Sequence, residues 1–379
     1  MRNSPRMKIS LIWHEAGNAL YQDRFLALSK VAGLTVYGLK KFQHREFEVH
    51  NKTVSYRLKL YNASLSSHWL TYISVKLIYD LIFDDADIIY LHEEPHSLIA
   101  FLIALTNPRK LIIVDSALIN FKGSFSGMNI FENFVYRKAA GVFHRNQAVA
   151  KVLLKRGCPS SKLLGTLGNG VSFETFCKID KNEARARLLD RYPQVGAVFT
   201  HTPILGFAGR IWEPKGLRSL DAVINSGTYG VLMCGETFSP DLAIWLRSRG
   251  VVLLPKLDLD DLRLFYSAID LFVLPSVPTV GWEEQFGRVL IESISCGTPA
   301  IGSNLGAIPA ILGPTAVFEP GNSCEILAMA ERLLDAASRQ ELLGIQQKIT
   351  SESFTWDALT SKVEKVCKEF LSLESKVRS

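Results

Sequence analysis

The sequence predicts an α/β protein of two domains, each a parallel sheet covered by helices. Three observations carry this expectation. At 379 residues the chain is long enough for two domains of ordinary size. Short apolar runs, such as 8–13, 204–208 and 270–274, alternate with segments of helical period, which is the pattern of strand–helix–strand units. That alternation runs twice, before and after a Pro/Gly break at 192–196, with no internal repeat or low-complexity stretch. The division reads as domains 1–195 and 196–355, followed by a terminal helical segment 356–379.

Composition narrows the class. With 47% hydrophobic and 21% charged residues, the chain belongs with globular proteins that bury sizeable cores. No apolar run approaches the roughly 18 residues that span a bilayer. The N-terminus leads straight into a strand, without a signal-peptide pattern. Six cysteines lie scattered between Cys158 and Cys367, with no C-x-x-C pair and no histidine spacing for zinc. They are expected to be reduced and structural, in a cytoplasmic protein. Charge is uneven: about 27 Lys and Arg face about 16 Asp and Glu through position 200, against about 16 and 21 in the remainder. A basic first half suits an anionic partner, namely a membrane surface, a phosphorylated acceptor or nucleic acid. Its aromatic residues fall at core spacing rather than in basic–aromatic patches, which argues against nucleic acid.

In order, residues 8–13 form a first strand, followed by His14 to Asn18 and a helix carrying Leu20, Phe25, Leu26 and Leu28. Residues 34–39 are a second strand, and 49–60 read as extended and basic. Residues 69–83 read as a helix with Trp69, Ile73, Leu77 and Leu81 on its core face; membrane contact is the alternative for that helix. A strand at 87–91 ends in His92-Glu93-Glu94-Pro95-His96. Its histidines and carboxylates invite a metal reading, but loops at this edge of a parallel sheet face a ligand cleft, so acceptor binding is the better assignment for Glu94. Asp85-Ala86-Asp87 precedes a strand and reads as a turn. Strands at 110–114, 141–144 and 162–167 follow, with a helix at 148–156. Asp115, Asn120 and Lys122 lie beyond the 110–114 strand as acceptor-side candidates.

The second half opens with a buried strand, 204–208, then Gly209 and a loop carrying Arg210 and Lys215 ahead of a helix. Cations between a strand end and a helix start are placed to clamp a diphosphate. Strands at 230–234 and 251–254 and a helix at 259–268 lead to the 270–274 strand. The stretch after it organises the chain. Glu284 stands in a loop, Gly287 precedes a short helix with Val289, Leu290, Ile291 and Ile294 on its buried side, and Glu292 lies about 7 Å along its axis. Two carboxylates thus flank free backbone N–H groups that attract anions. A phosphate ester with hydroxylated groups on both sides, such as a nucleotide sugar, fits that arrangement; two solvated glutamates is the plain alternative. A strand at 316–318, a helix at 325–334 and a terminal helix from 355 to about 374 complete the chain.

Glu284-Gln285-Phe286-Gly287 with Glu292 and then Gly297-Thr298-Pro299 resembles the donor-site motif of glycosyltransferase family four, retaining enzymes of the GT-B fold. Residues 301–309 and 207–216 resemble the same family, and Gly168-Asn169-Gly170-Val171 resembles its Asn-Gly-Val turn. Glu93-Glu94-Pro95 with Ser97-Leu98 resembles members that assemble bacterial surface polysaccharides. The resemblance implies two Rossmann-like domains with a cleft between them and a C-terminal helix that crosses back to the first. It implies sugar transfer from a nucleotide sugar, without metal or other cofactor, to a glycan or lipid-linked acceptor. Arg210, Lys215 and Glu284 would act in catalysis, with Gly209, Phe286, Gly287 and Glu292 also on the donor. Two departures stand out: a single Gly17 where many relatives have a Gly-Gly loop, and Asp115 where many have a histidine. A peripheral site on the inner face of the plasma membrane fits the basic half. A nucleotide-sugar epimerase and a non-catalytic scaffold of an assembly complex are the alternative functions.

Overall fold

The computed structural model describes residues 7–18, 21–42, 45–47, 55–66, 68, 70–117, 128–200, 203–280 and 282–378. The chain forms two compact units, one of Met1–Asn169 with Trp356–Ser379 and one of Gly170–Thr355. Each has one parallel sheet, with apolar strands buried on both faces as such sheets require.

In the first unit the strands are β1 (Lys8–Ile12), β2 (Gly33–Leu39), β3 (Lys41–Phe42), β4 (Arg45–Glu46), β5 (Arg57–Tyr61), β6 (Ile88–Leu91), β7 (Leu111–Ser116), β8 (Gly141–His144) and β9 (Leu163–Thr166). Seven of them run in the order β5-β2-β1-β6-β7-β8-β9, while β3 and β4 form a separate antiparallel pair. One sheet face packs on the helices Val75–Ile82, Leu98–Thr106, Met128–Lys138 and Gln147–Lys155 through residues such as Leu77, Ile103, Val135 and Leu153. The opposite face packs on Gln22–Val31 and Trp356–Arg378 through Phe25, Leu28, Leu359 and Val363.

The second unit has β10 (Ile204–Ala208), β11 (Gly230–Cys234), β12 (Val252–Leu254), β13 (Leu271–Leu274), β14 (Ala300–Ser303) and β15 (Val317–Phe318), in the order β12-β11-β10-β13-β14-β15. In both sheets the chain works outward from a central strand, returns, and continues on the other side. The switch points fall between β1 and β6 and between β10 and β13. Loops leaving adjacent strands in opposite directions open a crevice there, where ligands of such sheets bind.

Several boundaries differ from the sequence reading. The units divide at Asn169/Gly170 rather than at 195/196. The helix Lys181–Arg191 packs on Leu259–Ala268, and Val195 in the expected linker is fully buried. A Pro/Gly break therefore marked a turn inside a unit. The helix expected at 69–83 begins at Val75, and Trp69 lies outside the described residues. Asp85 and Asp87, expected in a turn, lie in an irregular segment ahead of β6 and pair with Lys8 through its side chain and its backbone N–H.

Several elements were not anticipated, among them the helices Leu98–Thr106, Met128–Lys138 and Pro240–Arg247, β14 and the helix Ala336–Ser353. The last two support each other. Gln346 on that helix is fully buried, accepts the Ala300 N–H at 2.9 Å and donates to the Ala300 carbonyl at 2.7 Å. Its amide thus satisfies the first residue of β14 as a neighbouring backbone would. Replacing Gln346 with Leu should cost roughly 2 kcal/mol or more, because both Ala300 groups lose a partner in a dry site. Chemical denaturation checks this, and a loss under about 0.5 kcal/mol would refute the role.

Candidate functional site

The second unit's switch point assembles the residues singled out in the sequence. Lys215 ends the short helix Glu213–Lys215 that follows β10, and Glu284 lies in the loop after β13. Lys215 Nζ meets Glu284 Oε2 at 2.5 Å, and Ser276 Oγ donates to the same oxygen at 2.9 Å. Both charged side chains are largely buried, at 12% and 10% exposure. The Glu284 backbone is fixed by a close approach. A Cβ on Gly306 would stand 2.0 Å from the Glu284 carbonyl oxygen, so only glycine lets the two loops meet.

Aromatic residues frame this pair, and the sequence reading did not single them out. The Lys215 ammonium sits 5.0 Å from the Trp282 ring centre. Arg210 is exposed, and its guanidinium lies over the rings of Trp212 and Phe238, at 4.9 and 5.5 Å. Trp212 and Trp282 meet edge to face at 5.4 Å. Such contacts orient a cation without neutralising it. The signal available in the sequence was the pair of tryptophans in otherwise polar loops.

Gly287, with φ of 80°, turns the chain into the helix Arg288–Ser295, whose first N–H groups have no helical acceptors. Glu292 is buried on that helix; Tyr266 donates to its Oε2 at 2.9 Å and Arg288 Nε meets its Oε1 at 2.8 Å. Phe286 was expected to touch a donor, but its side chain is buried in the unit's core and packs edge-on against Phe354. Gly209 follows β10, and its N–H donates to the Cys234 carbonyl, tying it to β11.

The first unit's switch point also carries an ion pair. His14, after β1, meets Glu93, after β6, at 2.9 Å, and Glu93 also accepts from the His14 backbone N–H and from Tyr72. Burial lowers the His14 pKa, but the Glu93 carboxylate outweighs it and the net shift is upward. Gly17 provides no open loop here: a Cβ on it would fall 2.3 Å from Cβ of Phe47.

Asp115 ends in a different role from the acceptor contact expected of it. It is buried at 2% exposure, and its Oδ2 takes Arg24 at 2.5 Å, His92 at 2.9 Å and Tyr90 at 3.1 Å. Its Oδ1 faces Arg145 at 3.3 Å, and Arg145 also donates to the Gly168 carbonyl at 2.8 Å and to Asn169 at 3.0 Å. Burial alone would raise the Asp115 pKa, but the Arg145 and Arg24 charges and the His92 hydrogen bond hold it well below the usual carboxylate range. Burial and the Arg24 charge push His92 down to about 3, so its ring is neutral. The cluster is an internal clamp on the ends of β6, β7 and β8. Asn120 and Lys122 lie outside the described residues.

Glu94 remains at the strand ends as an acceptor-side candidate. It accepts from Ser116 Oγ at 2.6 Å and from the Ala117 N–H at 2.9 Å, and burial pushes its pKa up to about 7. Among the described residues no group of three His, Cys, Asp or Glu is arranged to hold a metal ion.

Comparison with known proteins agrees with this geometry. Residues 202–336 match the family described as glycosyl transferases group 1, a match confined to the second unit. A sulfoquinovosyl transferase of Arabidopsis thaliana is 26% identical over 61% of this chain and 44% of its own length. An O-antigen chain mannosyltransferase B of Escherichia coli is 29% identical over 31% of this chain and 29% of its own length. The chain thus spans less than half the length of these curated relatives. Among solved structures, HepE of Anabaena in complex with UDP aligns over 96% of this chain and all of its own, at 17% identity and a TM-score of 0.74. The sucrose-phosphate synthase of Thermosynechococcus elongatus aligns over 97% of this chain and all of its own, at 16% identity and a TM-score of 0.70. The fold is GT-B, with two Rossmann-like units.

Two measurements check the first unit's site. Asp115→Asn should destabilise the protein by about 3–5 kcal/mol in urea, since it strands two buried guanidiniums; a change under about 1 kcal/mol would contradict the clamp. Glu94 should make stability fall as pH rises from about 4.5 to about 7, because its raised pKa favours the folded state only while the group is protonated. In Glu94→Gln the slope over that window should flatten, and an unchanged slope would assign it elsewhere.

Proposed function

We propose that the protein is a retaining glycosyltransferase, moving a sugar from a nucleotide-sugar donor to a glycan or lipid-linked acceptor in cell-surface polysaccharide biosynthesis. The observation that carries this reading is the buried Lys215–Glu284 pair at the second switch point, with Arg210 and the head of the helix Arg288–Ser295 after it. The match of residues 202–336 to the glycosyl transferase group supports it. The similarity to an O-antigen mannosyltransferase supports the surface-polysaccharide role, and the fold neighbour that holds UDP makes UDP-sugars the first donors to try.

In this reading the chemical demand is negative charge on the departing diphosphate. Lys215, Arg210 and the N–H groups after Gly287 stabilise it electrostatically. With those positive groups on the diphosphate, no step is assigned to a metal. Glu284 occupies Lys215 until a diphosphate competes for it. Donor entry exchanges a carboxylate oxygen for phosphate oxygens around the ammonium, and frees Glu284 to accept hydrogen bonds from the donor sugar. Loading the clamp and arming the sugar contact are then one event. Glu292 holds the ribose, with Arg288 yielding its place on Oε1. The leaving phosphate oxygen takes the acceptor proton on the same face, which gives retention without a separate base. The charge of the first half supports work at the inner face of the plasma membrane.

Isothermal titration and donor hydrolysis test the central exchange. Lys215→Ala should weaken nucleoside-diphosphate binding by about 2 kcal/mol. Glu284→Gln should tighten it, since the internal competitor loses its charge, while donor turnover falls. Turnover should also persist in EDTA. Equal loss of diphosphate affinity in both variants, or no turnover of UDP-, GDP- or ADP-sugars by the parent protein, would overturn the reading.

A further inference from the structure

We propose that the outer surface of the four helices Val75–Ile82, Leu98–Thr106, Met128–Lys138 and Gln147–Lys155 docks on an anionic membrane surface. This deepens the membrane part of the function above and uses no step of donor chemistry.

The first helix is apolar on two sides. Leu77 and Leu81 are fully buried against the sheet. Val75, Tyr79 and Phe83, spaced at i, i+4 and i+8, line up on the opposite side at 64%, 60% and 72% exposure. The rings of Tyr79 and Phe83 lie 4.8 Å apart, so they form one patch. Leu65 is 79% exposed, and its neighbour Ser64 accepts the Val75 N–H, which brings it to the same end. A surface helix with a single core-facing stripe would carry polar groups there. The neighbouring helices add exposed Leu105 and Ile130. Isolated exposed apolar residues need no explanation, but a run of them on adjacent helices marks an interaction surface.

Charge identifies the partner. The exposed charged side chains on these four helices are Lys76, Arg137, Lys138, Lys151 and Lys155. The carboxylates among their described residues turn away from solvent or are paired. Asp80 is half-buried and accepts from Tyr61, while Glu132 is buried and clamped by Arg156. The four helices therefore offer cations without exposed anions of their own; Asp85 and Asp87, just past Phe83, are exposed, and both pair with Lys8. Lysine stems can lie along apolar surface while their ammonium groups reach outward, as Lys138 does over the Phe134 ring at 5.9 Å. This combination suits shallow insertion of aromatic side chains among acidic headgroups. No helix among the described residues is long and apolar enough to cross a membrane, so the contact is superficial. A protein partner or a second copy would not require the one-sided charge.

Co-sedimentation of the full chain with vesicles tests this. The protein should bind phosphatidylcholine vesicles containing about one-third phosphatidylglycerol, and release as salt rises. Tyr79→Glu/Phe83→Glu should bind at least about tenfold more weakly. Lys151→Ala/Lys155→Ala should weaken binding only to the anionic vesicles and keeps the test alive if the first variant does not fold. Lys362→Glu, on the helix against the opposite sheet face, should bind as the parent does. Absence of parent binding overturns the proposal. Unchanged binding in both multiple variants overturns this face while leaving membrane association intact. Self-association that these variants abolish, without vesicle binding, overturns it in favour of a second copy. Donor turnover in solution is a separate readout, so failure here and failure of the transferase reading are distinguishable.

Discussion

The constraint on which this structure depends is opposite charge held at the switch points of two parallel sheets. A strand that leaves a sheet centre for one side, next to one that leaves for the other, opens a crevice at its C-terminal end. Its walls are buried apolar strands, so charge brought there is poorly solvated and must be paired. In the second unit Lys215 and Glu284 satisfy each other, and in the first His14 and Glu93 do. Neither pair is an ornament of stability. A buried ion pair roughly repays its desolvation at best, so its presence is weak evidence of added stability.

The two crevices use that constraint differently. In the second unit the pair is bordered by an exposed arginine oriented by aromatic faces and by the head of the helix Arg288–Ser295. In the function proposed above, an anion enters by replacing one carboxylate oxygen. In the first unit Asp115 gathers Arg24, Arg145, His92 and Tyr90 into a closed cluster. Every charge there already has a partner, so the cluster resists change and fixes the strand ends around Glu94. The cluster of the first unit is closed, while the proposed function of the second is to exchange its internal contact for a ligand.

The departures from the sequence motif are read most clearly at Asp115. A carboxylate at a strand end looks like a ligand group when only its position is known. Its meaning depends on what arrives from residues 24, 92 and 145, which are distant in the chain. The same holds for Phe286, whose place in the motif suggests contact with a ligand but whose ring is spent on the core.

Sequence alone determined the two-sheet plan, because apolar strand runs and helical spacing are local and survive without knowledge of contacts. It also located Arg210, Lys215, Gly287 and both glutamates, since strand ends and helix starts are marked by glycine, proline and a change of period. Tertiary structure alone decided the direct pairing of Lys215 with Glu284, the closed cluster around Asp115, and the aromatic frame of Trp212 and Trp282. It also moved the unit boundary to Asn169/Gly170 and revealed β14 with its Gln346 support. These were illegible for one reason. Each depends on contacts between residues distant in the chain, and period, turns and charge counts carry no record of which distant groups a fold brings together.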